Sequence, residues 1–182
     1  MFSYLRTKFK AEPIALISLG ITFLFSGLTI FNKSDFATSI KNDVLDYLKE
    51  ELDYTINKLN TFYHKDIKTY DLSLADKYFS GLSLILEDKV LRASRFLDDS
   101  EKLDTYSYQT KEFIEEQVNK VHNLGKILMY KEIGVETILI TSDNCDKHAD
   151  TTIDVTNMDF SKIPPFGYQC NCDVDEENLN DE

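Results

Sequence analysis

Apolar residues recur every three or four positions through the middle of the chain, which is the spacing of an amphipathic helix. Three such stretches predict helices over about 35–62, 74–97 and 110–133, with Lys, Asp and Glu on the opposite faces. Gly134 follows the third stretch, where a glycine commonly ends a helix. Helices of this length predict an antiparallel bundle across residues 33–134, so the fold class is mainly α.

The hydrophobic period changes after the third helix. Residues 135–141 are rich in β-branched side chains and predict a strand, and 151–155 predict a second short strand that pairs back on the first. Residues 135–172 are therefore interpreted as a small α+β domain at the C-terminal side. Asp and Glu dominate the last segment, 173–182, and a tail of like charges predicts disorder.

A long uncharged and apolar run lies near the start of the chain. It occupies residues 13–32 and follows a basic segment, 1–12. A helix of this length spans about 30 Å, the thickness of a bilayer's hydrocarbon core, which predicts a transmembrane-like helix. Two alternatives remain: a cleaved signal peptide, although no A-x-A-like site follows the run, and a helix buried inside a large assembly.

The charge balance narrows the classes of partner. The chain has 20 Lys and Arg against 32 Asp and Glu, a formal net charge of −12. Phosphate neutralisation needs clustered cations, so this excess of acid argues against a surface built for sequence-specific nucleic-acid binding. The 3 cysteines are an odd number, which argues against a scaffold stapled only by disulfides.

All three cysteines lie near the C-terminus, together with one histidine. They form the pattern Cys145-x-x-His148 followed by Cys170-x-Cys172. Two close pairs of sulfur and nitrogen ligands separated by a loop are typical of structural zinc sites, and thiolates favour Zn²⁺ over Mg²⁺ or Ca²⁺. The alternatives are a disulfide from Cys145 to Cys170 or Cys172, and uncoordinated thiols.

The same residues give little support to an enzyme. A site closed by four protein ligands has no open position for water, so it stabilises rather than catalyses. Zinc nucleobase deaminases combine His-x-Glu with a later Pro-Cys-x-x-Cys, whereas this chain has His148-Ala149-Asp150 and Cys170-x-Cys172. We therefore expect no catalytic residue and no small-molecule substrate.

The C-terminal third resembles the Mu F-like phage head morphogenesis proteins, also called minor head or minor capsid proteins. The resemblance covers about residues 112–172. His148 stands where the family has a second cysteine. The matching motifs are Asn123-Leu124-Gly125, Tyr130, Gly134-Val135, Cys145-x-x-His148 and Pro164-Pro165 followed by Cys170-Asn171-Cys172.

The resemblance implies a structural role in the virion. Members of this family assist head assembly and genome packaging or delivery near the portal, so the expected partners are portal or capsid proteins. The apolar segment 13–32 would then lie in a membrane or in the virion interior. The alternative function is a single-pass, membrane-anchored interaction protein of phage or host with a zinc-stabilised domain outside the membrane.

Overall fold

The structure, a computed structural model, describes residues 33–65, 72–95, 100–142, 145, 148–158, 160–167 and 170–176. The predicted basic segment 1–12 and the transmembrane-like helix 13–32 lie outside these residues, as does 177–182. Among the helices of the described ranges, none combines the length and the apolar character needed to cross a membrane.

Three helices make up most of the described chain, which confirms the mainly α class. They are α1 (Lys33–Phe62), α2 (Leu72–Ser94) and α3 (Ser100–Ile133). Helix α3 begins well before the predicted Thr110. Its first turns have few apolar residues, so they show no periodicity, but Glu101 lies where the helix dipole favours a carboxylate.

The end of α3 is set by Gly134, as the sequence predicts. Gly134 has a φ of 88°, a left-handed conformation that a Cβ would strain. The N–H of Gly134 donates to the carbonyl of Lys131 at 3.3 Å, and the N–H of Val135 donates to that of Tyr130 at 2.9 Å. This pair of hydrogen bonds is a Schellman motif, which ends the helix and turns the chain toward the first strand.

The chain divides into two compact units, and the first contains the residues up to Tyr47 together with Ser80–Glu115. Lys41 Nζ lies 2.8 Å from Glu87 Oε2, which joins α1 to α2. Lys89 Nζ lies 4.5 Å from the ring centre of Phe113, a cation–π contact between α2 and α3. Most of the predicted apolar stripe residues described in this unit are buried, but Ile85 of α2, which was predicted to belong to the stripe, is 49% exposed. The buried ones include Ile40, Val44, Leu82, Leu86, Val90 and Ile114.

The second unit contains Leu48–Phe79 and Glu116–Glu182. Here α1 and α3 run parallel: Glu51 lies beside His122, and Leu52 and Thr55 lie against Gly125. A Cβ added at Gly125 would come within 2.8 Å of Thr55 Cγ2, so glycine is what allows this close approach. The Tyr78 hydroxyl donates to Gln117 Oε1 at 3.0 Å and links α2 to α3 inside the core.

A three-stranded antiparallel sheet follows the helices, in the order β2-β1-β3. The strands are β1 (Thr137–Thr141), β2 (Thr151–Asp154) and β3 (Asp173–Glu176). Buried Ile138 and Ile140 alternate with less buried residues along β1, so one face of the sheet packs inward. The predicted pairing of the second strand back on the first is confirmed.

The third strand corrects the prediction of disorder for residues 173–176 of the acidic tail. Asp173–Glu176 pair with β1 instead, with Thr141 opposite Asp173 and Ile138 opposite Glu176. Val174 is only 1% exposed, and Lys126 Nζ lies 2.6 Å from Asp173 Oδ2. A backbone ladder, one buried side chain and one cation thus hold a segment whose acidic composition suggested disorder.

Candidate metal centre

The sheet topology explains why the two predicted ligand pairs meet. Cys145 follows the end of β1, and Cys172 immediately precedes β3. Because Thr141 pairs with Asp173 in antiparallel strands, the last residue of β1 and the first residue of β3 lie side by side at the same end of the sheet. The ligand atoms of Cys145, His148, Cys170 and Cys172 consequently all lie within 4.8 Å of one another.

A tight turn aligns the first pair. The N–H groups of His148 and Ala149 both donate to the carbonyl of Cys145, at 3.1 and 3.0 Å. This turn places Cys145 Sγ 3.1 Å from His148 Nδ1, and the imidazole packs against the Phe166 ring at a centroid distance of 4.4 Å. The N–H of Asp150 then donates to Ile140 O at 2.9 Å and returns the chain to the sheet.

A second turn presents the Cys-x-Cys pair. The N–H of Cys170 donates to Gly167 O at 3.1 Å, and the N–H of Phe166 points at Cys170 Sγ at 3.5 Å. The Sγ atoms of Cys170 and Cys172 are 3.0 Å apart. Backbone N–H groups directed at a sulfur stabilise a thiolate, so this turn favours the charged form that binds metals.

Burial and hydrogen bonding give the paired thiols different pKa values. Burial alone would raise the pKa of Cys170, but the contact with Cys172 and the Phe166 N–H outweigh it and lower that pKa below its usual value. Burial, followed by the contact with Cys170, raises the pKa of Cys172 to about 12. Cys170 therefore loses its proton first, and a cation held by both sulfurs would displace both protons.

The four residues fit a metal ion. The ligand atoms within each pair are 3.1 and 3.0 Å apart and all four lie within 4.8 Å of one another, compared with about 3.3–3.8 Å between ligand atoms of a tetrahedral zinc site. The three cysteines are free thiols, so each sulfur can coordinate. The cluster can therefore hold a metal ion.

The remaining residues of interest lie outside this cluster. His122 Nε2 is 3.4 Å from Glu51 Oε2 and packs between helices, and His64 lies beyond the end of α1 with a φ of 51°. Asp150, the acid considered for a deaminase, is exposed. A cleft of about 350 Å³ borders the second ligand pair and is lined in part by Asn119, His122 and Lys126 of α3.

Sequence reasoning missed the side chains of α3 that contact the ligand loop. Asn123 donates from Nδ2 to Pro164 O at 3.0 Å and to Cys172 O at 3.2 Å. Lys126 donates to Asp173 Oδ2 and to Val174 O. The only signal in the sequence was the Asn-x-Gly element of the resemblance, which gives no contact partner.

No family model, no curated protein and no solved structure matches this chain.

Proposed function

We propose that this chain is a non-catalytic structural protein of a phage or prophage head, whose C-terminal part is held in shape by one Zn²⁺ ion. The observation that carries this proposal is the gathering of Cys145, His148, Cys170 and Cys172 within 4.8 Å. Those residues close the motif by which residues 112–172 resemble the Mu F-like minor head proteins. Three sulfurs and one imidazole nitrogen are a donor set typical of zinc.

The proposed role of the ion is mechanical rather than chemical. It would join the turn after β1 to the turn before β3 and close the loop between Cys145 and Cys172. The four ligands come together only in the folded chain, so the free energy of metal binding adds to the stability of the folded loop. All four ligand positions come from protein, so no position is left for a reacting water molecule.

The proposed partners are portal or capsid proteins, which the folded C-terminal part would contact through a surface kept in one shape. The net charge of −12 supports protein partners over bound nucleic acid. The apolar segment 13–32 would lie in a membrane or in the virion interior.

The biological role is tested by mass spectrometry of purified phage particles alongside the host membrane fraction. We expect the protein in particles at low copy number, together with portal protein. Recovery only from membranes of cells that yield no particles would replace this proposal with the membrane-anchored interaction protein.

The metal centre is tested by elemental analysis of the full chain purified without added metal. We expect one zinc per chain, and loss of that zinc in both Cys170→Ser and His148→Ala. His64→Ala is the matched control, because His64 is exposed and outside the cluster, and it should retain zinc. A disulfide would be indicated instead by zinc far below one equivalent, together with fewer titratable thiols than cysteines and recovery of the missing thiols when a reductant is added.

A further inference from the structure

One buried amide on α3 contacts both ends of the segment that carries the second ligand pair. Asn123 is only 4% exposed, and its Nδ2 donates to Pro164 O at 3.0 Å and to Cys172 O at 3.2 Å. Pro164 begins the segment and Cys172 ends it, so one side chain spans the loop that contains Cys170. The hydrogen bonds fix the separation of the two ends.

The chemistry of these contacts requires an amide. Both partners are carbonyl oxygens, which only accept, and an NH₂ group supplies two donors from one atom. A carboxylate at this position would face two acceptors without a proton to share. Alanine would leave two carbonyls in a buried place without these donors, which is costly.

The Asn-x-Gly spacing directs this amide at the loop. Successive helical residues turn by about 100°, so positions two apart face nearly opposite sides of the helix. Gly125 faces α1, where it meets Thr55 and Leu52. Asn123 consequently faces away from α1 and toward the loop.

We propose that Asn123 is the positioning residue of the metal centre, which sets Cys170 and Cys172 at the distance from Cys145 and His148 that one ion requires. This inference rests on the proposed metal centre. Groups that orient metal ligands through hydrogen bonds commonly change metal affinity by about 10- to 100-fold when they are removed. Asn123 acts on the backbone of the ligand Cys172 and not on the ion.

The test measures zinc affinity of the full chain by competition with a chromophoric chelator. We expect Asn123→Ala and Asn123→Asp to bind zinc about 10- to 100-fold more weakly than the unchanged chain. The matched control is Asn119→Ala, because Asn119 lies one turn earlier on α3, borders the same cleft and is exposed. Asn119→Ala should bind zinc with unchanged affinity.

A second readout separates positioning from general loss of stability. The position and intensity of the absorption bands of thiolate-bound Co²⁺ depend on the number of ligands and on their geometry. The Asn123 variants should show a weakened or shifted cobalt spectrum while far-UV circular dichroism keeps its helical signal. Gln117→Ala, which removes a buried amide elsewhere on α3, should lower stability and leave the cobalt spectrum unchanged.

The role of Asn123 can also be tested in the unchanged chain, which keeps the proposal testable if the Asn123 variants fail to fold. Coupling between two sites is reciprocal, so if Asn123 favours metal binding, metal binding must protect the Asn123 amide. Exchange of its side-chain NH₂ protons should slow when zinc is added and speed up with chelator.

The possible outcomes are distinct. An unchanged chain that binds neither zinc nor cobalt would refute the metal centre itself. Normal metal binding with equal affinity in Asn123→Ala, or amide exchange unaffected by zinc, would refute the role of Asn123 alone.

Discussion

Two glycines inside helices should respond in opposite directions to the same substitution. Gly81 lies within α2 and Gly125 within α3. A Cβ at Gly81 meets nothing within 4 Å, whereas a Cβ at Gly125 would lie 2.8 Å from Thr55 Cγ2 and 3.2 Å from Thr55 Cβ. The change to alanine therefore isolates the effect of helix packing from that of backbone freedom.

The expected magnitudes follow from two opposing effects. Alanine is favoured over glycine within a helix by about 0.8–1.0 kcal/mol, and this gain applies at both positions. Forcing extra volume into a packed contact costs about 1–3 kcal/mol. We therefore expect Gly81→Ala to raise the free energy of unfolding by about 1 kcal/mol, and Gly125→Ala to lower it by up to about 2 kcal/mol.

The assay is equilibrium unfolding in urea followed by far-UV circular dichroism, with the denaturant slope compared between variants. Thr55→Ala combined with Gly125→Ala removes the 2.8 Å contact and should recover part of the loss. Equal stabilisation by Gly81→Ala and Gly125→Ala would show that α1 and α3 are not in close contact at this point.

Three further predictions concern the sheet, the core and the metal. Val174→Ala should lower the free energy of unfolding by about 2 kcal/mol, whereas the exposed Thr152→Ala should change it by under about 0.5 kcal/mol, both measured in urea. Burial, then the charge of Glu116, raises the pKa of Tyr78 above its usual value. The stability that the neutral Tyr78 hydroxyl contributes is therefore fully present below about pH 10, and the free energy of unfolding falls as the pH rises further. When unfolding is measured below and above pH 10, the free energy of unfolding should fall less in Tyr78→Phe than in the unchanged chain. An equal fall in the two proteins would contradict this explanation. Acid should release zinc because protons compete with the metal ion for its ligands, and a chromophoric chelator would detect the release; zinc retained in strong acid would contradict this ligand set.

The helices and the two Cys/His pairs were predictable because their signals are local. Buried stripes such as that of α1 repeat along the sequence, and Cys145 and His148 are close neighbours whose chemistry is evident from residue type. The strand β3 was not predictable in this way, because Val174 is a single apolar residue among acids and its pairing partner lies far away in β1. The contact of Asn123 with Pro164 and Cys172 was hidden for the same reason, since only the folded chain brings them together.

The position of β3 at the edge of the sheet determines how the chain resists a pulling force. Glu176 pairs with Ile138, close to where α3 leads into β1. A force that pulls α3 and the chain beyond Glu176 apart would therefore act at one end of the β1–β3 ladder. It would break the hydrogen bonds of the ladder one after another. That opening would reach Asp173 and then Cys172. In the zinc-bound chain proposed here the next link is a metal–thiolate bond, so the centre would act as a stop that limits extension of the C-terminal segment.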